Sequence, residues 1–181
     1  MALKYIWLLL ATALLTTPLM ARDILLDDPL PDPEYDEPEK KWLENEVQVP
    51  QNINPDDLEE FRVAANETRF RYFLERGSIQ HDADGAIRFT LVIRSQSGAS
   101  NSSYEGFRCG ERLYKVYAYG DRDSLSPAPG MIWEAIPKDE STDYRAALYD
   151  DLLCNLQHGK PNPVDKVLEA MRNNKSVGSN H

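Results

Sequence analysis

The alternation of apolar and polar residues is clearest in residues 86–120, where it predicts three successive β-strands joined by turns rich in Ser, Gly and Asn. In the first strand, apolar side chains recur at every second position: Ile87, Phe89, Leu91 and Ile93. Polar side chains alternate with them: Arg88, Thr90 and Arg94. We therefore expect one face of this strand to be core and the other to contact water. The third strand is apolar on both sides, which fits a central strand covered on both faces.

Two more strands are predicted before this meander. One begins near Leu58, and the other aligns three apolar side chains that can join the core: Phe70, Tyr72 and Leu74. Between that strand and the meander, Asp84-Gly85 predicts a hairpin turn, because glycine adopts a positive φ without a steric clash. This turn would pair the first strand of the meander with the segment before it.

The part of the chain after the meander has helical periodicity. A short strand in residues 131–136, with Trp133 and Ile136 in the core, precedes a helix on which Tyr144, Leu148 and Leu152 share one face. Ser141, Thr142 or Asp143 would cap this helix, and Asn162-Pro163 would begin a second helix with its own apolar stripe: Val164, Val167, Leu168 and Met171. The sequence thus predicts an α+β domain over residues 47–172, an antiparallel β-meander sheet with one or two C-terminal helices packed on it.

The first 21 residues have the pattern of a secretory signal peptide. Lys4 gives a basic start, residues 6–15 are almost wholly apolar, and residues 18–21 form a cleavage region that ends at Ala21. An uncleaved membrane anchor is the alternative, but the apolar run is shorter than the roughly 20 residues of a spanning helix. We therefore expect a mature protein that begins at Arg22, is exported to the periplasm and has no stable membrane insertion.

Residues 22–46 are predicted to be an extended, disordered arm, because they combine prolines with closely spaced carboxylates. Ten acidic residues and two lysines give residues 23–46 a net charge of −8, within a chain whose net charge is −10. The arm is interpreted as a solvated linker or as a tether for a cation or partner, and Trp42 and Leu43 mark where it begins to touch the fold. A chain this acidic lacks the basic surface that nucleic-acid binding requires. Residues 173–181 are expected to form a disordered tail.

The two cysteines, Cys109 and Cys154, both lie in the part of the chain that would be exported. In an oxidising compartment two cysteines favour a disulfide, which would attach the first C-terminal helix to the meander. A catalytic thiol with His158 as its base is the alternative, although a spacing of four residues is no evidence of hydrogen-bond contact.

No motif for a cofactor, a metal or a catalytic residue is recognisable. Asp82 and Asp84 resemble part of a calcium loop, but the twelfth position from Asp82 is Ile93 rather than a carboxylate. The polar cluster of the middle strand is a different kind of candidate: Tyr104, Glu105 and Arg108. These residues are interpreted as a structural ion pair, as an exposed strand face or as a recognition patch.

The segment around this cluster resembles the CNP-one-like family of uncharacterised exported proteins from proteobacteria. The most specific matching run is Tyr104-Glu105-Gly106 followed by Arg108-Cys109, and further matching positions flank it: Ser97, Gly98, Ala99, Tyr117, Gly120, Asp121, Trp133 and Cys154. The resemblance covers residues 49–154. It implies a periplasmic or envelope location and a single compact domain, and it implies no catalytic residue.

Three hypotheses for function remain open at this point. The first is a non-enzymatic binding domain that contacts another envelope protein or cell-surface component. The second is a periplasmic hydrolase that uses Glu105 as acid or base, which needs a second carboxylate or a metal across a cleft. The third is a carrier of a small ligand in a groove between sheet and helix, which needs an apolar pocket.

Overall fold

The fold is seen in a computed structural model that describes residues 41–63, 69–138, 143–173 and 176–177. The predicted signal peptide, residues 22–40 of the predicted arm and most of the predicted tail lie outside these residues. The unit described below begins at Trp42. Within the described residues, no helix combines the length and apolar character needed to cross a membrane.

An antiparallel meander forms the centre of this unit, as the alternation pattern predicted. Among the described residues nine strands share one sheet: β1 (Leu58–Val63), β2 (Phe70–Glu75), β3 (Gln80–His81), β4 (Ile87–Ser95), β5 (Ser100–Arg108), β6 (Leu113–Gly120), β7 (Leu125–Pro127), β8 (Glu134–Ala135) and β11 (Ser176–Val177). The main order is β11-β1-β2-β4-β5-β6-β7, with β3 on β4 and β8 on β6. Among the described strands of this sheet, only the β1–β11 pairing is parallel. Two short strands, β9 (Cys154–Asn155) and β10 (Lys160–Pro161), pair separately.

Two short helices follow the sheet, so the predicted α+β class is confirmed. The first, α1 (Tyr144–Ala147), continues as a π-helical segment, Leu148–Leu153, and the second is α2 (Val164–Arg172). Asp143 caps α1 by accepting a hydrogen bond from the backbone N–H of Arg145 at 2.8 Å. Ser141 and Thr142 lie outside the described residues. The predicted cap of α2 is wrong, because the Asn162 side chain donates to the carbonyl of Leu152 and Pro163 takes the N-cap position.

The helices cover one face of the sheet and enclose the larger core. Its members come from the predicted faces of both strands and helices, including Tyr72, Leu74, Phe89, Leu91, Phe107, Leu148, Leu152, Val167 and Met171. Phe70 was expected there too, but its side chain at the start of β2 is 38% exposed. Cys109 and Cys154 form the predicted disulfide, which attaches the end of β5 to the end of the π-helical segment.

The opposite face of the sheet is also buried, which corrects the expectation that it contacts water. Arg88 and Thr90 are both 0% exposed. The chain before β1 covers this face: Ile53 belongs to a second core, and Val47 and Val49 pack against it. The other members of this second core come mainly from the sheet: Phe73, Val92, Tyr104, Tyr117, Ala118 and Leu125.

Candidate functional site

The second face of the sheet carries a buried arginine at its centre. Arg88 forms a two-point ion pair with Asp84, with nitrogen–oxygen distances of 2.7 and 3.1 Å, and it also binds Asp82. Its Nε donates to the hydroxyl of Tyr117 at 3.2 Å. Asp82 and Asp84, which resembled calcium ligands in the sequence, therefore bind the guanidinium of Arg88 instead. Arg88 lies in β4, the strand that directly follows their turn.

These contacts explain why Asp84 remains charged in a buried position. Burial by itself would raise the pKa of Asp84, but hydrogen bonds from Arg88 and from the backbone N–H groups of Asn45 and Ala86 outweigh it and lower the pKa. Gly85 adopts a φ of +84°, as the predicted hairpin turn requires, and β3 pairs with β4 directly across this turn. The local turn chemistry thus positions the carboxylate for Arg88.

Residues 42–46, here called the strap, lie over this network and reach the sheet through side chains. The carboxylate of Glu44 accepts hydrogen bonds from Lys115 Nζ at 2.8 and 3.1 Å and from the Tyr117 hydroxyl at 2.8 Å. Burial would raise the pKa of Glu44, but these two donors outweigh it and lower the pKa. Glu44 therefore remains ionised in a site of phenolic and cationic donors.

Trp42 attaches the other part of the strap. Its indole Nε1 donates to the backbone carbonyl of Asp84 at 2.7 Å, and its ring lies 5.5 Å from that of Trp133 in an edge-to-face arrangement. The guanidinium of Arg108 lies 3.9 Å from the centre of the Trp42 ring and 5.7 Å from that of Trp133. Two tryptophans and an arginine from distant parts of the sequence are thus assembled at one place.

Exposed apolar residues adjoin this cluster. Leu43, next to Trp42, is 75% exposed, and Ile132, next to Trp133, is 69% exposed. We call these residues together the tryptophan surface: Trp42, Leu43, Arg108, Ile132 and Trp133. Within the described part of the chain, two buried donors of this surface have no hydrogen-bond partner, Arg108 Nε and Trp133 Nε1. The surface therefore combines exposed apolar area with two N–H groups that are buried beneath it and have no partner among the described residues.

Glu105 has a different environment, on the face of the sheet that the helices cover. Its side chain is 0% exposed and accepts hydrogen bonds from Ser103 at 2.6 Å, Tyr144 at 2.9 Å and Arg145 at 2.8 and 3.0 Å. The guanidinium of Arg145 stacks 4.2 Å from the Tyr114 ring. Both carboxylate oxygens are thus hydrogen-bonded, and the arrangement joins the sheet to α1.

The three polar residues that the sequence singled out do not share one surface. Tyr104 is buried, and its hydroxyl accepts a hydrogen bond from Gln80 in the second face of the sheet. Glu105 points to the opposite face, as alternation in a strand requires. Arg108 lies on the same side as Tyr104 but at the end of β5, within the tryptophan surface.

Two features of this site were not recognised from the sequence. Glu44 and Lys115 are 71 residues apart, and no local pattern connects them. Trp133, which was expected in the core, packs against the second core, but its contact with Trp42 was not predicted. The available signal was the pair Trp42-Leu43, which the sequence predicted as the place where the arm begins to touch the fold without indicating its partner.

A cleft of about 330 Å³ lies at the end of the β1–β2 hairpin, far from these clusters. Its lining alternates charged and apolar or aromatic residues: Glu60, Phe61, Arg62, Val63, Phe70, Arg71 and Tyr72. Residues 64–68 between the two strands lie outside the described part of the chain, so we assign no ligand to this cleft.

Comparison with known proteins identifies a family. Residues 37–172 match the model of the CNP1-like family, and the match includes the strap, both helices and every strand of the sheet described above except β11. No curated protein and no solved structure shows significant similarity to the chain.

Proposed function

The chain belongs to the CNP1-like family, and we propose that it is an exported protein of the cell envelope that acts as a binding domain. Two observations support export to the periplasm. The disulfide between Cys109 and Cys154 is of the kind that persists in oxidising compartments. The first 21 residues have the sequence pattern of a secretory signal peptide.

The observation that carries the proposal of binding is the tryptophan surface. Tryptophan and arginine are the residues most enriched at the energetic centres of protein interfaces. Here they are combined with Leu43 and Ile132, whose large apolar side chains are mostly in contact with solvent. The exposed side chains of Leu43 and Ile132 beside the Trp42–Arg108–Trp133 stack favour a protein as the partner. If the chain is exported, that partner is a protein of the envelope.

A hydrolase that uses Glu105 is less well supported. A general acid or base must reach the substrate with a free lone pair or proton. The carboxylate of Glu105 is enclosed by Ser103, Tyr144 and Arg145 instead. This environment is that of a structural ion pair, which the sequence had left open as one interpretation.

Export is tested by N-terminal sequencing of the protein recovered from periplasmic extracts. We expect the sequence to begin at Arg22. Recovery of a chain that begins at Met1 in the membrane fraction would contradict the proposal.

Binding is tested by placing a photo-crosslinking amino acid at Leu43 or at Ile132 in the cell. The control position is Phe70, which is 38% exposed but lies at the opposite end of the sheet, paired with Ser95. We expect Leu43 and Ile132 to capture the same envelope protein and Phe70 not to capture it. The captured protein must then bind the purified chain, and Arg108→Met must weaken that binding. Equal capture from all three positions would contradict the proposal.

A further inference from the structure

The strap is attached to the domain in an unusual way. Among the described residues, backbone-to-backbone hydrogen bonds of this part of the chain begin only at Gln51 and Ile53, which bond to residues 123–125. Before them, Trp42 and Glu44 hold the chain by side chains, and the Asn45 backbone N–H donates to the Asp84 carboxylate at 3.0 Å. The strap can therefore leave the sheet without breaking a strand pairing.

The side chain of Tyr117, beneath the strap, is held in place by contacts that do not involve the strap. The Tyr117 hydroxyl is bound by Arg88, which Asp82 and Asp84 fix in turn. The Tyr117 ring packs against Tyr104 at 5.9 Å and Trp133 at 6.3 Å. Departure of the strap would leave a preformed site rather than a collapsed one.

The chemistry of this site is that of a receptor for an anion beside an aromatic ring. Lys115 and Tyr117 offer donors to a carboxylate, while Arg108 and Trp133 form a stacking position in which two buried N–H groups have no partner among the described residues. The Lys115 ammonium and the Tyr117 hydroxyl donate hydrogen bonds to oxygen acceptors such as a carboxylate, and the Trp133 ring packs against the edge of another aromatic side chain.

From this chemistry we propose that the site binds an acidic segment of the partner protein, in which an aromatic residue precedes a carboxylate by two positions. Trp42 and Glu44 of the strap occupy the same site when the partner is absent. When the partner binds, its aromatic side chain replaces Trp42 beside Arg108 and Trp133, and the displaced Leu43 stays next to the bound segment within crosslinking reach. The inference rests on the proposed binding function and specifies the kind of partner. Because the strap is part of the same chain, it competes at a high effective concentration and weakens partner binding until it is displaced.

The proposal is tested with a fluorescently labelled peptide that has the sequence of residues 42–49. Its binding is measured by anisotropy to the mature full-length protein and to the variant that carries Trp42→Ala and Glu44→Gln, whose strap is weakened. We expect the peptide to bind this variant at least tenfold more tightly than the parent protein. A peptide with Gln in place of Glu at the Glu44 position should bind at least tenfold more weakly.

Lysine substitutions provide the matched controls in the same variant. Lys115→Met should weaken peptide binding at least tenfold, whereas Lys166→Met, which removes an exposed lysine on α2 paired with Glu169, should leave it unchanged. If the double substitution prevents folding, as judged by loss of the disulfide or of cooperative unfolding, Glu44→Gln alone replaces it.

Three results would overturn the proposal. The first is equal peptide binding by the parent and the folded variant, and the second is unchanged peptide binding in Lys115→Met. The third is the formation of concentration-dependent dimers of the parent that exchange straps, because a second copy of the chain would then occupy the site. If crosslinks from Leu43 and Ile132 to an envelope protein persist while the peptide fails to bind, the proposed function survives and only this inference falls.

Discussion

The carboxylate of Glu105 and the guanidinium of Arg145 form a two-point ion pair between β5 and α1, with Nε and Nη2 at 2.8 and 3.0 Å from its oxygens. The Glu105 side chain is 0% exposed and that of Arg145 is 15% exposed. The pair therefore lies in the interface between the sheet and the first helix. Either charge alone would be buried without compensation.

We predict that Arg145→Met lowers the free energy of unfolding by roughly 3–5 kcal/mol, because it leaves the Glu105 carboxylate buried and unpaired. Urea denaturation monitored by circular dichroism measures this. Arg71→Met is the control, since Arg71 and Glu60 form an exposed pair with side chains 63% and 41% accessible, and its expected cost is under about 1 kcal/mol. Adding Glu105→Gln to Arg145→Met should restore part of the loss. Equal effects of Arg145→Met and Arg71→Met would contradict the structural role.

The disulfide supports a second prediction about the attachment of helix to sheet. Cys109 and Cys154 enclose a loop of 45 residues, so the entropic model gives a contribution of roughly 4 kcal/mol to stability. The double variant Cys109→Ser and Cys154→Ser should therefore unfold at a much lower urea concentration than the parent. Mass spectrometry of alkylated periplasmic protein should detect no free thiol. Two alkylated cysteines in native protein would contradict the prediction.

The sequence predicted the meander, the Asp84-Gly85 turn and the disulfide because each depends on local patterns or on a pair of like residues. It could not predict the burial of Arg88, because an arginine that alternates with apolar residues is normally on a solvated face. Its partners, Asp82 and Asp84, were visible in the turn but resembled a calcium loop. The contacts of Glu44 with Lys115 and Tyr117 could not be predicted because they join positions some 70 residues apart in the sequence.

The unclear alternation of the third meander strand has a structural cause. Tyr104 pairs with Ala118 and Glu105 with Val116, so Tyr117 is an extra residue in a β-bulge of β6. The bulge places Tyr117 and Ala118 in the same second core. Because of the extra residue, every side chain of β6 after the bulge lies on the opposite face of the sheet from the one that simple alternation predicts. The sequence of this strand therefore shows no single apolar face.

Gly106 is predicted to be essential for the packing of this bulge. A Cβ at this position would lie 3.0 Å from Tyr117 Cε2 and 3.3 Å from Arg88 Cγ, both of them in the buried network. Gly106→Ala should therefore lower the free energy of unfolding by roughly 1–3 kcal/mol, the usual cost of overpacking. Gly110→Ala is the control, because its Cβ would be in ordinary contact with Gly159 at 3.4 Å. Urea denaturation of both variants checks the difference.

The strap is predicted to loosen in acid. The pKa of Glu44 in the folded protein lies below its ordinary value of 4.5, so the stabilisation from its ionised form is complete above that value and is lost as the pH falls through the lower, folded-state pKa. Asp84, whose pKa is also lowered, contributes in the same direction. The pKa values of Arg88 and Tyr117 are raised above their ordinary values, so both groups stay protonated throughout this range.

The indole N–H of Trp42 reports this loosening, because it donates to the Asp84 carbonyl. Its hydrogen exchange, measured by NMR, should stay protected between pH 7 and pH 5 once the intrinsic pH dependence of exchange is subtracted. Protection should fall at lower pH. Glu44→Gln should reduce protection already at pH 7 and leave only the acid step of Asp84. Unchanged protection in Glu44→Gln would show that Glu44 does not hold the strap.

The boundary between arm and domain gives the last prediction, which compares two deletions from the mature protein. Removing residues 23–41 should shift the melting temperature by less than about 5 °C, a change that corresponds to roughly 1–2 kcal/mol, because closely spaced like charges bury little surface. Removing residues 23–46 should lower it further, since the deletion also takes away the contacts of Trp42 and Glu44 with the sheet. Thermal melts followed by circular dichroism measure both shifts. Equal shifts would show that the strap contributes nothing, whereas a large shift from the shorter deletion would show that residues 23–41 pack on the fold.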